Sequence, residues 1–153
     1  MDRPRQVIQS LGEIAIRVGN LDAMVEFYTS TFGFEVHGRF EKIVFLKVAA
    51  DQAGHTQLLV LFDSSVPPDH HSLAFRGLDS TRSTIHHMAF TIPLTEYDAE
   101  RRRLEALGLA VDTAEHPWVK YRSLFVADPE GNTIELVCHD PALESSWKST
   151  APM

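Results

Sequence analysis

Cysteine is almost absent from this chain: Cys138 is the only one among 153 residues. A lone cysteine excludes an intramolecular disulfide and is typical of proteins kept in a reducing compartment. No apolar run approaches the roughly 20 residues that a membrane-spanning helix needs. The first six residues, MDRPRQ, contain no apolar core of a secretory signal. These absences predict a cytoplasmic globular protein, and the 44% hydrophobic and 23% charged residues agree with that class.

Positive charge is also scarce. The formal net charge is -7, and the one basic cluster, residues 101–103, lies between Glu100 and Glu105 on a predicted helix. Binding to nucleic acid or to an anionic membrane needs clustered positive charge. The composition therefore predicts neither partner, and we interpret the three arginines as a solvated helix face.

The sequence contains an internal repeat. Residues 13–18 (EIAIRV) and 87–92 (HMAFTI) both alternate apolar with polar or small residues, which is typical of half-buried strands. Each run is followed by a helix-like stretch and a turn centred on glycine, Gly33 or Gly108. The length predicts one domain over 1–153. We divide it into a first module over about 11–62, a linker over 63–84, a second module over about 85–138 and a tail over 139–153.

The pattern predicts a helix between the first and second strand of each module. Asn20 or Asp22 is expected to cap the first helix, and the TEYD run at 95–98 resembles a capping box for a second helix through Leu107. The DPEG run at 128–131 is a tight-turn signal. The predicted strands cover 12–18, 34–39, 42–49 and 56–62 in the first module, and 85–92, 109–115, 121–127 and 132–137 in the second.

Strand alternation predicts that three ionisable residues lie on the sheet face that does not pack on the helices. If the apolar residues of each strand pack on a helix, Glu13, His87 and Glu135 turn to the opposite face. Two carboxylates and an imidazole are suitable ligands for a divalent metal. Two alternatives remain open. Arg17 can form an ordinary ion pair with either glutamate, and a register slip of one residue would turn His86 inward instead of His87.

Four stretches resemble the vicinal-oxygen-chelate superfamily of glyoxalases, bleomycin resistance proteins and extradiol dioxygenases. They are IAIRVGNL at 14–21, FYTSTFGF at 27–34, HMAF at 87–90 and DPEGNTIEL at 128–136. The resemblance covers 11–138 and implies an α+β fold in which two paired βαβββ modules form a curled mixed sheet. That sheet makes a cup with helices on its outer face. It also implies a small-molecule substrate and a homodimer.

The resemblance also implies a metal site with ligands on four strands. The corresponding positions are Glu13, Val60, His87 and Glu135. Val60 cannot bind a metal, and Gln57 has the wrong parity unless a bulge intervenes. A Glu13, His87 and Glu135 triad with one divalent ion (Fe, Mn, Zn, Ni or Co) is therefore the expected cofactor site.

Two kinds of metal chemistry follow from the resemblance, together with a class that has no metal. In an isomerase or lyase, Glu135 would act as the base with Glu13 opposite. In extradiol ring cleavage, His116 matches a catalytic histidine, but Phe125 stands where that signature has a tyrosine. The metal-free alternative is a resistance-type binding protein. In each case we expect contacts to substrate from the cup-facing side chains of Arg17, Val60, Phe62, Tyr121 and Phe125. Cys138 is interpreted as a small buried residue.

Overall fold

The computed structural model describes residues 7, 9–66, 85–117 and 119–144. The chain divides into two compact units, Met1–Arg76 and Gly77–Met153. The division falls within the predicted linker, but residues 67–84 of that linker lie outside the described residues, as does 145–153 of the predicted tail. Among the described helices, none is long and apolar enough to cross a membrane.

Both units have the same plan, as the internal repeat predicts. The first contains β1 (Glu13–Val18), α1 (Leu21–Phe32), β2 (Glu35–Arg39), β3 (Ile43–Gln52) and β4 (His55–Asp63). The second contains β5 (Met88–Thr91), α2 (Tyr97–Ala106), β6 (Asp112–His116), β7 (Tyr121–Ala127) and β8 (Thr133–His139). The strand orders are β1-β4-β3-β2 and β5-β8-β7-β6. In each sheet the first and last strands pair in parallel and the other pairs are antiparallel. The α+β class is confirmed.

The first helix begins at the predicted cap. Asn20 is extended, and its Oδ1 accepts a hydrogen bond from the Ala23 N–H at 3.0 Å. The helix ends at Gly33, whose φ of +70° is a left-handed conformation that glycine adopts without strain. Met24 and Tyr28 are fully buried, and the Tyr28 ring stacks on Phe34 with centroids 5.8 Å apart. Burial of this stripe fixes α1 against β3 and β4.

The predicted capping box of the second helix is wrong. A single 3₁₀ turn, Leu94–Glu96, precedes α2, and the capping residue is Glu96, which makes no side-chain cap. The Glu96 N–H already donates to the Pro93 carbonyl at 3.0 Å. Because the backbone is turning before α2 begins, Thr95 lacks the extended conformation that an N-cap needs. The strand predicted over 85–92 is shortened at both ends, so that His87 lies just before β5. The strand predicted over 109–115 begins later than predicted, and His116 is its last residue.

The predicted turn at residues 128–131 is present and is fixed by a buried carboxylate. Asp128 Oδ1 accepts hydrogen bonds from the backbone N–H groups of Glu130 (3.0 Å) and Asn132 (2.9 Å). Its Oδ2 accepts from Asn132 Nδ2 at 2.7 Å. Gly131, at φ +83°, completes the turn. These bonds set the point at which β8 begins, and β8 carries Glu135.

Substituting Asp128→Ala should lower the free energy of unfolding by about 2–3 kcal/mol, since three donors lose an ionised acceptor in a mostly buried turn. Urea denaturation measures this. Asp112→Ala, at an exposed position of β6, is the control and should change the value by less than about 0.5 kcal/mol. Equal effects of the two substitutions would contradict the role given to the Asp128 carboxylate.

Candidate functional site

The central group of the candidate site is the carboxylate of Glu135, which is only 8% exposed on β8. Both of its oxygens have partners. Ser123 Oγ donates to Oε1 at 2.5 Å, and His87 Nε2 lies 3.1 Å from Oε2. A buried carboxylate needs such partners, because an unpaired buried charge is strongly unfavourable. The structure therefore brings together two predicted ligands, His87 and Glu135, and adds Ser123.

His87 is accessible from solvent while contacting the buried carboxylate. Its side chain is 38% exposed. Its Nδ1 lies 2.7 Å from Nδ1 of His86, and the two rings meet edge to face with centroids 5.0 Å apart. Since His87 is the histidine that contacts Glu135, the register slip considered from the sequence is not the arrangement found. Because Nδ1 of His87 faces His86, Nε2 is the ring nitrogen that faces the Glu135 carboxylate.

Several aromatic side chains share the sheet face of Glu135. Phe125 on β7 pairs directly with Glu135. At the other end of β7, Tyr121 pairs with His116 on one side and with His139 on the other. The Tyr121 and His139 rings are 6.3 Å apart. The face therefore combines one buried carboxylate with a row of half-buried and exposed rings that can contact a small organic ligand.

The corresponding face of the first unit carries the remaining predicted residues. In the parallel pairing of β1 with β4, Glu13 faces Leu58, Ala15 faces Val60 and Arg17 faces Phe62. Glu13 and Arg17 are exposed, and Arg17 Nη1 donates to the Val66 carbonyl at 3.0 Å. The hydrogen-bond partner of the Arg17 guanidinium is therefore a backbone carbonyl of its own unit.

The fourth-strand position of the first unit offers no metal ligand. Val60 is fully buried, and the Gln57 amide Nε2 donates to the Ala50 carbonyl at 2.8 Å, beside a register shift between β3 and β4. Within the part of the chain that the structure describes, no group of three His, Cys, Asp or Glu side chains gathers closely enough to hold a metal ion. His87 and Glu135 nevertheless supply an imidazole nitrogen and a carboxylate oxygen side by side. This donor set fits a divalent ion.

A separate polar network lies on the helix-facing side of the second sheet. The Arg122 guanidinium stacks on the Tyr97 ring at 4.4 Å and lies 3.7 Å from the Asp140 carboxylate. Tyr97 is buried, and its hydroxyl donates to the Ser123 carbonyl at 3.2 Å. Burial raises the pKa of Tyr97, while the charge of Arg122 acts to lower it. This network fixes the β7 backbone at Ser123 from the side opposite Glu135.

Cys138 is buried on the same helix-facing side, as predicted from the sequence. Burial raises the pKa of its thiol, and the nearby Arg122 charge opposes that shift. We therefore expect iodoacetamide to alkylate the native protein at pH 8 much more slowly than the urea-unfolded chain, as followed by intact mass. Above the ordinary thiol pKa the unfolded chain loses its proton first, so this group's contribution to stability falls as pH rises. Equal alkylation rates in the two states would contradict this assignment.

Sequence reasoning did not find two of these contacts. Strand parity puts Ser123 on the Glu135 face, but the contact also depends on the register of β7 against β8. The contact between the His86 and His87 rings depends on the backbone before β5, where no periodic signal exists. Neighbouring polar residues at 86 and 87 were the only sign of it in the sequence.

Comparisons with known proteins identify the family. The family model described as Glyoxalase/Bleomycin resistance protein/Dioxygenase superfamily matches residues 10–136. A search among curated proteins gave no match. The chain is similar to a solved lactoylglutathione lyase from Agrobacterium tumefaciens, with 28% identity, 89% of this chain and 96% of that chain covered, and a TM-score of 0.58.

Two further solved structures share the fold. A glyoxalase/bleomycin resistance protein/dioxygenase from Nocardioides has 19% identity, covers 97% of this chain and 91% of its own, and has a TM-score of 0.64. The fosfomycin resistance protein FosX from Listeria monocytogenes, complexed with Mn(II) and sulfate, has 21% identity, coverages of 88% and 94%, and a TM-score of 0.61. Since the family model matches most of the chain, this protein belongs to the glyoxalase/bleomycin resistance/dioxygenase superfamily.

Proposed function

We propose that this protein is a divalent-metal-dependent enzyme, of the isomerase or lyase kind, acting on a small substrate with neighbouring oxygens. The observation that carries the proposal is the contact of 3.1 Å between His87 Nε2 and the buried carboxylate of Glu135. Membership of the superfamily and similarity to a lactoylglutathione lyase support it. When bound, the metal would polarise the substrate oxygens.

We propose His87 and Glu135, which are in contact in the second unit, as metal ligands. Since the described side chains form no group of three ligands, Glu13, the third ligand that the sequence predicts, is proposed on the repeat alone. Glu13 enters by internal equivalence. Ala15 pairs with Val60 in the first unit as Ala89 pairs with Glu135 in the second, so Glu13 occupies the position of His87 in the repeat. One histidine and two carboxylates suit Fe, Mn, Zn, Ni or Co. In the isomerase reaction, Glu135 is proposed as the proton acceptor with Glu13 opposite, as the sequence predicts.

The remaining predicted residues are assigned to the substrate. Phe125, directly opposite Glu135, and the exposed Tyr121 contribute apolar and hydroxyl-bearing surface. From the first unit we propose Arg17 and Phe62 for substrate contacts. Val60, which the sequence also predicts for this role, is fully buried in the unit. We further propose that the protein is a cytoplasmic homodimer, as the lone cysteine and the family resemblance suggest.

The test compares protein stripped by a chelator with protein reloaded with each of the five metals. Lactoylglutathione and fosfomycin are offered as substrates because they are named for related structures. Turnover that requires one reloaded metal supports the proposal. Protein that binds no metal under any condition would overturn it.

Ring cleavage is a second form of the same metal chemistry, and His116 carries it. His116 ends β6 on the face shared with Glu135, in register with Tyr121. Phe125 opposes Glu135 without a hydroxyl group, which disfavours this reaction. Oxygen uptake with catechols, lost in His116→Ala while metal content is unchanged, would identify it.

A metal-free binding protein is the other class, and the burial of apolar Val60 at a ligand position favours it. This class predicts ligand binding that is insensitive to chelators. Equilibrium dialysis of fosfomycin with and without a chelator distinguishes it from the enzyme.

A further inference from the structure

We propose that Ser123 is a positioning residue that holds the Glu135 carboxylate with Oε2 toward His87. The hydroxyl donates to Oε1 at 2.5 Å, and His87 Nε2 lies 3.1 Å from Oε2. Ser123 is completely buried, so no water competes for its hydroxyl. With one oxygen fixed by Ser123, rotation of the carboxylate about its last bond would break a buried hydrogen bond.

The repeat supplies an internal comparison. Phe125 pairs with Glu135, and Phe45 pairs with Val60 in the equivalent antiparallel ladder. At the next pair on the same sheet face, two residues along each strand, Ser123 faces Val137 and Ile43 faces Phe62. Ile43 is therefore the counterpart of Ser123.

The hydroxyl thus stands in the unit whose last strand carries a carboxylate, and an aliphatic side chain stands in the unit that carries Val60. The residue that pairs with the last-strand position is phenylalanine in both units, Phe125 opposite Glu135 and Phe45 opposite Val60. The difference follows the chemistry of the neighbouring residue, since only a carboxylate needs a donor. Strand propensity does not explain a serine at this position, because strands favour β-branched and aromatic side chains.

The backbone of Ser123 is also fixed. On the opposite side of the sheet, the buried Tyr97 hydroxyl donates to the Ser123 carbonyl at 3.2 Å. The Tyr97 ring is covered by the Arg122 guanidinium. Hydrogen-bonded partners of ligand side chains commonly set ligand orientation, and their loss costs about 10–100-fold in metal affinity. Ser123 is such a hydrogen-bonded partner of Glu135.

The first measurement needs no metal. Long-range ¹H–¹⁵N spectra of chelator-treated protein report the ring nitrogens of His87. In Ser123→Ala the freed carboxylate should move, and the Nε2 resonance of His87 should shift, while that of His37 on β2 stays in place. Ser123→Thr keeps the hydroxyl and should restore the wild-type spectrum. Ile43→Ala, at the equivalent position, is the matched control and should leave His87 unchanged. Unchanged His87 resonances in Ser123→Ala would overturn the inference.

The second measurement rests on the proposed function. Calorimetric titration with Mn(II) and Zn(II) should give an affinity about 10–100-fold weaker in Ser123→Ala and a wild-type affinity in Ser123→Thr. If wild-type protein binds neither ion, nor any of the other three metals, the proposed function fails, and the His87 resonances alone decide the role of Ser123. Should Ser123→Ala not fold, Ser123→Cys, with a weaker donor of nearly the same shape, gives both readouts.

Discussion

Metal binding is expected to disappear when either His87 or Glu135 is replaced by alanine. Purified wild-type protein should carry about one equivalent of a divalent metal, measured by inductively coupled plasma mass spectrometry. Removing a ligand takes away a direct bond to the ion, so the loss of affinity should exceed the roughly 10–100-fold that follows loss of an outer partner. Glu13→Ala should have an effect of the same kind, because Glu13 is proposed as the third ligand.

Matched controls separate this effect from general damage. His37→Ala removes an exposed histidine from β2. Asp140→Ala removes another mostly buried carboxylate, one that faces Arg122 rather than His87. Both variants should keep one equivalent of metal. Retention of metal by His87→Ala and Glu135→Ala would contradict the assigned ligands.

The largest loss of stability is expected for Leu124→Ala. Leu124 is fully buried on the face of β7 opposite Glu135, and it pairs with Leu136 on β8. Removing most of a buried leucine leaves a cavity between sheet and helix, so the free energy of unfolding should fall by about 2–5 kcal/mol. Urea denaturation followed by circular dichroism measures it.

Tyr121→Ala on the same strand is the comparison for Leu124→Ala. Tyr121 is 43% exposed, so its truncation should lower the free energy of unfolding by less than about 1 kcal/mol. Its effect on ligand binding should be larger than its effect on stability. A cost for Tyr121→Ala as large as that for Leu124→Ala would mean that the two faces of β7 are assigned the wrong way round.

Much of the fold follows from patterns that the sequence displays directly. Alternation at 13–18 and 87–92, with a helical stripe after each run, predicts the two repeated units, and Asn20 identifies where α1 begins. The same parity argument predicts that His87 and Glu135 share a face. These features are local or periodic, so they can be read from neighbouring residues.

The features that were not predicted depend on how separate segments align. The Ser123 contact needs the register of β7 on β8 as well as parity. The start of α2 depends on the 3₁₀ turn after Pro93, which removes Thr95 from a capping position. The contact between the His86 and His87 rings depends on irregular backbone before β5. Sequence periodicity does not encode any of these alignments.

The paired difference between the two units also bears on how such a site is gained during evolution. Val60→Glu alone would bury a carboxylate beside Ile43, which offers no donor, and an unpaired buried charge is heavily penalised. Ile43→Ser alone would remove apolar contacts at a half-buried position and leave the new hydroxyl without a carboxylate to accept from it. A fourth metal ligand in the first unit therefore requires two substitutions together, each unfavourable by itself. This barrier can keep a duplicated protein asymmetric at its last-strand position, with a carboxylate in the second unit and an apolar side chain in the first.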